Sequence, residues 1–457
     1  MTSAMADAYP SVAGVVATAA AFAAFHPGLC TLRVVGRSRA GRPLHLLTVG
    51  RGRRNVLVVA GPHSDERVGA ATALRLAEQV AHNPLLHSGV DVSWHLLLCL
   101  DPDGAVRHEA GPVIRRTPAA HFRHAYRPPP EEQPEWAPSI RAPEAQLPES
   151  QALIDLIDEL RPVLQCSLHA NDLGGCWVQL TRDIPGLAEA LGKSAAEHDV
   201  PVQTGTYDAL RWTVSGPGVY VLPEPGGTAP AAPPSAEPAA DPVENPAADP
   251  EADPAADPAV GLARSTWLRP HRHGGMTALF EVPMWTARTV ADPAPCPDPA
   301  PQLARIGRQL RGHASRVEVL LAEARAVLPA ASPERAHLLR VVAKLAAACP
   351  QVAAEWERLP PDALPPGTLP LTAAHVAALD IAARRIPLRA AGTLLRLLDG
   401  CPGPAAAEVR AAAGQQFTRW ADALAAGHDP VWVPVEQQVR LQAAAVLAAF
   451  RLAVAGE

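Results

Sequence analysis

Apolar residues in the first two thirds of the chain come in short runs of strand length, separated by stretches with helical spacing. Strand-like runs stand at Leu32–Val35, Leu44–Val49, Asn55–Ala60 and Val92–Leu100, and again at Pro162–Leu168, Cys176–Leu180 and Thr277–Pro283. Between them, helices are predicted at Val12–Phe25, about Arg67–His82, about Glu149–Leu160 and Leu187–His198. Strands and helices taking turns in this way indicate an α/β fold.

Two departures from the alternation divide the chain. Between Pro223 and Pro258 the composition shifts to Pro, Ala, Asp and Glu, with Ala-Asp-Pro recurring at 248–250, 252–254 and 256–258. Such a stretch buries too little apolar surface to offset its ordering entropy, so residues 223–262 are expected to be a disordered, acidic insertion. From about Gln302 the sequence becomes alanine-rich with apolar residues at i, i+3 and i+4, as in Leu338, Leu339, Val342 and Leu345. Pro329, the pairs Pro360-Pro361 and Pro365-Pro366, and Pro402-Gly403-Pro404 mark helix ends. Residues 329–457 are therefore expected to be an all-α region, its leucine and valine stripes serving as core; what protein that region binds is unknown from sequence.

Composition removes several classes of function. A net charge of −6 over 457 residues argues against a nucleic-acid or anionic-membrane partner. The seven cysteines form no C-x-x-C pair, and several stand in apolar runs, which fits a reducing compartment. Val12–Phe25 is apolar but about 14 residues long, too short to cross a bilayer, and no basic segment precedes it. A cytoplasmic location is expected. No G-x-S-x-G elbow accompanies Ser38, Ser64 or Ser167, so a serine hydrolase is discounted.

Candidate chemistry lies at the strand ends. His63 and Glu66 follow the run ending at Ala60, and residues three apart on a turn or first helical turn face one side, so imidazole and carboxylate can converge on one ion. His169 stands at the end of the run Pro162–Leu168 and offers a third ligand. Nitrogen and oxygen donors of this kind suit zinc, and three protein ligands leave a position open for catalysis. Glu281 sits among apolar neighbours, where partial burial raises a carboxyl toward the range of a general base. His271 with His273, and His121 with His124, are weaker metal pairs read as structural or solvent-facing.

The order of these motifs resembles the zinc carboxypeptidase (funnelin) family of metallopeptidases. That family shows H-x-x-E, then N-P-D-G, a later histidine and a glutamate on a late strand. Here Asp101-Pro102-Asp103-Gly104 departs from N-P-D-G by one residue, and Gly36-Arg37-Ser38-Arg39-Ala40-Gly41-Arg42-Pro43 is similar to the family's hairpin ahead of the first metal motif. The resemblance implies a mixed twisted sheet between helical layers over residues 1–328. It also implies one Zn2+ held by His63, Glu66 and His169, Glu281 as general base, and a peptide substrate cut beside a terminal carboxylate.

The family's arginine pair, which stabilises the oxyanion and grips that carboxylate, has no clear counterpart. The candidates are Arg115, Arg116, Arg123 and Arg127, the last two favoured because they interleave with aromatic residues. Tyr207 and Tyr220 stand where the family carries a loop tyrosine. An N-acyl amino acid deacylase and a non-catalytic zinc- or peptide-binding module are the alternative readings.

Overall fold

Val56, Val58 and Ala60 of one strand point into one apolar core while Leu57 and Val59 point into another, all five fully buried. A strand's side chains alternate between faces, so this run is apolar throughout because its sheet is covered on both sides. Burying one such valine or leucine contributes about 1.5–3 kcal/mol. The computed structural model describes residues 8–111, 116–207, 209–210, 212–223, 258–329, 332–359 and 371–455. Most of the expected insertion (224–257), Arg115, and the proline pairs at 360–361 and 365–366 lie outside the described residues; the end of the expected insertion, 258–262, is not disordered but part of the helix Pro258–Ala263.

Among the described residues the sheet is mixed and ten-stranded. Its strands are β1 (Cys30–Arg37), β2 (Pro43–Val49), β3 (Arg54–Ala60), β4 (Val92–Leu97), β5 (Leu164–Gly174), β6 (Trp177–Leu180), β7 (Thr213–Gly216), β8 (Val219–Val221), β9 (Met276–Thr286) and β10 (Val431–Trp432). The order is β1-β2-β4-β3-β5-β9-β6-β8-β7, with β10 added beside β9. The central strands β4, β3, β5 and β9 run parallel to one another, and antiparallel pairs flank them.

On one face lies α1 (Pro148–Leu160), whose Leu153, Leu156 and Ile157 meet Leu57 and Val59. On the other lie α2 (Val68–His82) and α3 (Val435–Phe450), the latter with Phe450 tilted against Trp94 at 4.8 Å between ring centroids. The expected helix Val12–Phe25 forms with those bounds.

Helix α4 (Ala300–Val327) leads into the C-terminal region, which contains α5 (Pro333–Glu357), α6 (Ala373–Leu398) and α7 (Pro404–His428) ahead of α3. That region is helical as expected, apart from the two-residue strand β10. Its apolar stripes are core, and the core is the sheet's own: buried residues of α5, α6 and α3 belong to the same cluster as Val56 and Val58.

Two loop motifs lock together beside the central strands. Asp103 accepts from Ser38 Oγ (2.7 Å), Ala40 N (2.9 Å) and Arg42 (2.8 Å), fastening the β1–β2 hairpin to the Asp-Pro-Asp-Gly turn. Asp101 caps the helix Pro102–Glu109 through Gly104 N at 2.9 Å.

Candidate active site

Two parallel strands with neighbouring ends place the three expected ligands together. β3 stops at Ala60, and the chain turns at Gly61, whose φ of +60° falls in the region where glycine carries no steric penalty. A hydrogen bond from Glu66 N to His63 O (3.2 Å) closes the turn, so both side chains face one way. β5 pairs with β3 as far as Leu168 and then continues to Gly174 alongside β9. His169 is thus inside an 11-residue strand rather than at its end as expected, and it stands at the first position after its neighbour β3 has stopped. The turn carrying His63 and Glu66 fills the room that β3 leaves.

Donor atoms of His63, Glu66 and His169 lie within 4.8 Å of one another. The two imidazole centroids are 5.1 Å apart, and His169 Nδ1 is 3.1 Å from Glu66 Oε2. Across the β5–β9 ladder Glu281 is the register partner of His169, and both line one cavity with His63, Glu66 and Arg127.

The donor set suits a divalent metal in both charge and number. His63 Nδ1 is buried with no hydrogen-bond partner, a vacancy costly to a polar atom unless something binds there. Burial first, then the Arg127 guanidinium, pushes the His63 pKa down to about 3, leaving the neutral imidazole that ligation requires. Burial opposes ionisation of Glu66, but His63, Arg127 and His169 outweigh it and hold that carboxyl well below its ordinary range. Burial likewise opposes charge on His169, yet Glu135 and Glu66 prevail and raise it well above the usual imidazole value.

The other face of His169 is occupied by a residue the sequence did not single out. Glu135 Oε2 is 2.9 Å from His169 Nε2, and its other oxygen accepts from Ser167 Oγ at 2.5 Å. A carboxylate on the far nitrogen of a ligating histidine fixes ring orientation and raises donor strength. Glu135 belongs to the run Glu131-Glu132-Gln133-Pro134-Glu135, which read along the chain has the look of a solvated acidic loop.

Of the two favoured arginines, Arg127 is at the site, with Nε 2.8 Å from Asp65 Oδ1 and a second nitrogen bonded to Glu66. Arg123 is not: it pairs with both oxygens of Asp399 at 2.8 and 2.7 Å, because its helix, Pro118–His124, turns it toward the end of α6. Arg116 lines a separate cavity. The arginines that do join Arg127 in the cleft wall are Arg385 and Arg389 of α6, from the region expected to carry no catalytic motif.

Tyr207 lines the cleft, whereas Tyr220 is buried with its hydroxyl donating to Gln203 O. His271 and His273 go separate ways, to Thr181 and Asp158. His121 bonds to Asp172 at 2.8 Å.

Residues 15–174 match the sequence profile of the zinc carboxypeptidase family. The stretch is under half of the chain; it includes all three candidate metal ligands and excludes Glu281 and the C-terminal helices. Among solved structures, the chain is similar to carboxypeptidase A from Helicoverpa armigera (16% identity, TM-score 0.36, covering 61% of this chain and 65% of that one). It is also similar to a metallo-carboxypeptidase from Burkholderia cenocepacia (18%, TM-score 0.32, 57% and 59%). A third is an aspartoacylase family protein from Mesorhizobium loti (12%, TM-score 0.24, 38% and 51%). The chain spans less than two thirds of the length of each of these three. No curated protein matches the sequence.

Proposed function

Taking residues 15–174 as a zinc carboxypeptidase-family segment, we propose that the protein is a zinc-dependent hydrolase of peptides or peptide-like amides, cutting beside a terminal carboxylate. The observation that carries the reading is the convergence of His63, Glu66 and His169 beside Glu281 in one cleft. His63, Glu66 and His169 would hold one Zn2+, which when bound lowers the pKa of water and polarises a carbonyl.

The remaining work falls to this chain's own groups. Glu281 takes the proton from the attacking water and returns it to the departing amine. Arg127 faces the oxygen on which negative charge develops; its guanidinium is pre-set by Asp65 and Glu66, so little reorganisation accompanies the reaction. Glu135 keeps His169 oriented throughout. Seven free cysteines, six of them buried, fit a reducing compartment and thus the cytoplasm. Among the described residues no helix is long and apolar enough to cross a membrane.

The test is Glu281→Gln, with bound zinc measured in both proteins. Release of C-terminal residues from short peptides should fall by about 10²–10⁴ at unchanged metal content. Equal turnover by both forms removes the base and with it the proposed mechanism.

A further inference from the structure

Two aspartates adjoin the metal-site residues, and neither is a proposed ligand or proton carrier. Asp65 lies inside the His63–Glu66 turn, and Asp172 lies three residues beyond His169 on β5; they are 1% and 2% exposed. Two buried carboxylates side by side repel strongly unless a cation lies between them. That cation comes from α6: one nitrogen of Arg389 is 3.2 Å from Asp65 Oδ2 and 2.8 Å from Asp172 Oδ2.

Each aspartate then passes the constraint inward. Asp65 holds Arg127, which bonds Glu66. Asp172 holds His121 at 2.8 Å. A second clamp comes from the same C-terminal region. Gln442 of α3, fully buried, donates to the carbonyls of His169 (2.7 Å) and Phe280 (3.0 Å), the latter next to Glu281.

We infer that Arg389 is a positioning residue through which the C-terminal helices hold the turn carrying His63 and Glu66 against the strand carrying His169. The helical region is thereby part of the working site rather than a separate attachment. The inference rests on the zinc-site reading above. A guanidinium suits the position because it is permanently charged and weakly hydrated, so one buried terminal nitrogen can hydrogen-bond Asp172 and pair electrostatically with Asp65, where a strongly hydrated lysine ammonium does less well. The group also occupies the space between Asp65 and Asp172, where with His121 a second metal cluster could otherwise form.

The experiment measures zinc affinity by competition with a chromophoric chelator in the full-length protein. It compares wild type with Arg389→Met, Arg389→Lys and, as control, Arg384→Met. Arg384 makes the same kind of pair, with Asp380 at 2.6 Å on the same helix, but does not line the cleft. Loss of an outer partner of a metal site typically weakens binding 10–100-fold.

Arg389→Met is expected to bind zinc that much more weakly, Arg389→Lys to recover part of the loss, and Arg384→Met to match wild type even where its melting temperature falls as far. Folded Arg389→Met with wild-type zinc affinity overturns the inference. Should Arg389→Met fail to fold, Arg389→Lys decides: about tenfold weaker binding supports the role, and wild-type affinity removes it. A wild type that holds no zinc instead sinks the site reading itself, a result distinct from zinc held equally by all forms.

Discussion

Asp101→Asn should make the protein more stable at neutral pH while leaving it unchanged near pH 4. The family-like N-P-D-G pattern has asparagine where this chain has Asp101, whose side chain is 1% exposed. One carboxylate oxygen accepts from Gly104 N, and the other is buried with no hydrogen-bond partner. Gly104 is pressed so closely that a Cβ there would lie 2.1 Å from that oxygen, which leaves no room for water to reach it from that side.

Burial pushes the carboxyl up to about 7, against the pull of the Gly104 N–H toward ionisation. In the unfolded chain it titrates near about 3.9. Below that pH both states hold the proton, and folding is indifferent to the group. Between about 4 and 7 only the folded state binds it, so stability falls as pH rises, by about 1.4 kcal/mol per pH unit. Above the folded pKa the loss is complete, at up to roughly 4 kcal/mol.

Asparagine keeps the cap acceptor and carries no charge, so the variant lacks this slope. Urea unfolding of both proteins at intervals from pH 4 to pH 8 checks the point, since the remaining titrating groups cancel in the difference. The variant's advantage should be near zero at the acid end and grow steadily to pH 7. A difference that stays flat with pH, or a variant less stable at pH 7.5, would refute the argument that a buried, ionised Asp101 strains the turn.

Other outcomes are expected at the site and in its frame. His63→Ala should emerge from purification with little or no zinc by elemental analysis; wild-type zinc content would take His63 out of the ligand set. Glu135→Gln keeps one acceptor where His169 and Ser167 now use two oxygens, so zinc binding should weaken about 10–100-fold in a chelator competition with the fold intact by circular dichroism. Gly392→Ala places a Cβ 2.0 Å from Phe122 O, where α6 crosses the helix Pro118–His124. The overpacking, about 1–3 kcal/mol, outweighs the roughly 1 kcal/mol that alanine offers a helix, so the melting temperature should drop.

Much of the fold could be read from the chain because its signals are local. Continuous apolar runs such as Asn55–Ala60 identify strands covered on both faces, and period and proline placement locate the helices, with Val12–Phe25 matching its expected bounds. Strand ends were less legible. The run to Leu100 stops as a strand at Leu97, and β5 runs past His169, because pairing partners rather than composition decide where a ladder ends.

The sequence by itself determined the candidate ligands, since His63 and Glu66 are three apart on one turn and their spacing alone makes them face together. It also determined the α/β pattern, because side-chain period is a property of the chain. Tertiary structure alone decided which distant groups complete the site. Glu135 came from a run that looks solvated, Arg389 and Gln442 came from helices whose pattern speaks only of packing, and Arg123 was turned away to Asp399. Burial of a charged or polar side chain depends on partners tens to hundreds of residues away, and no local periodicity encodes those meetings.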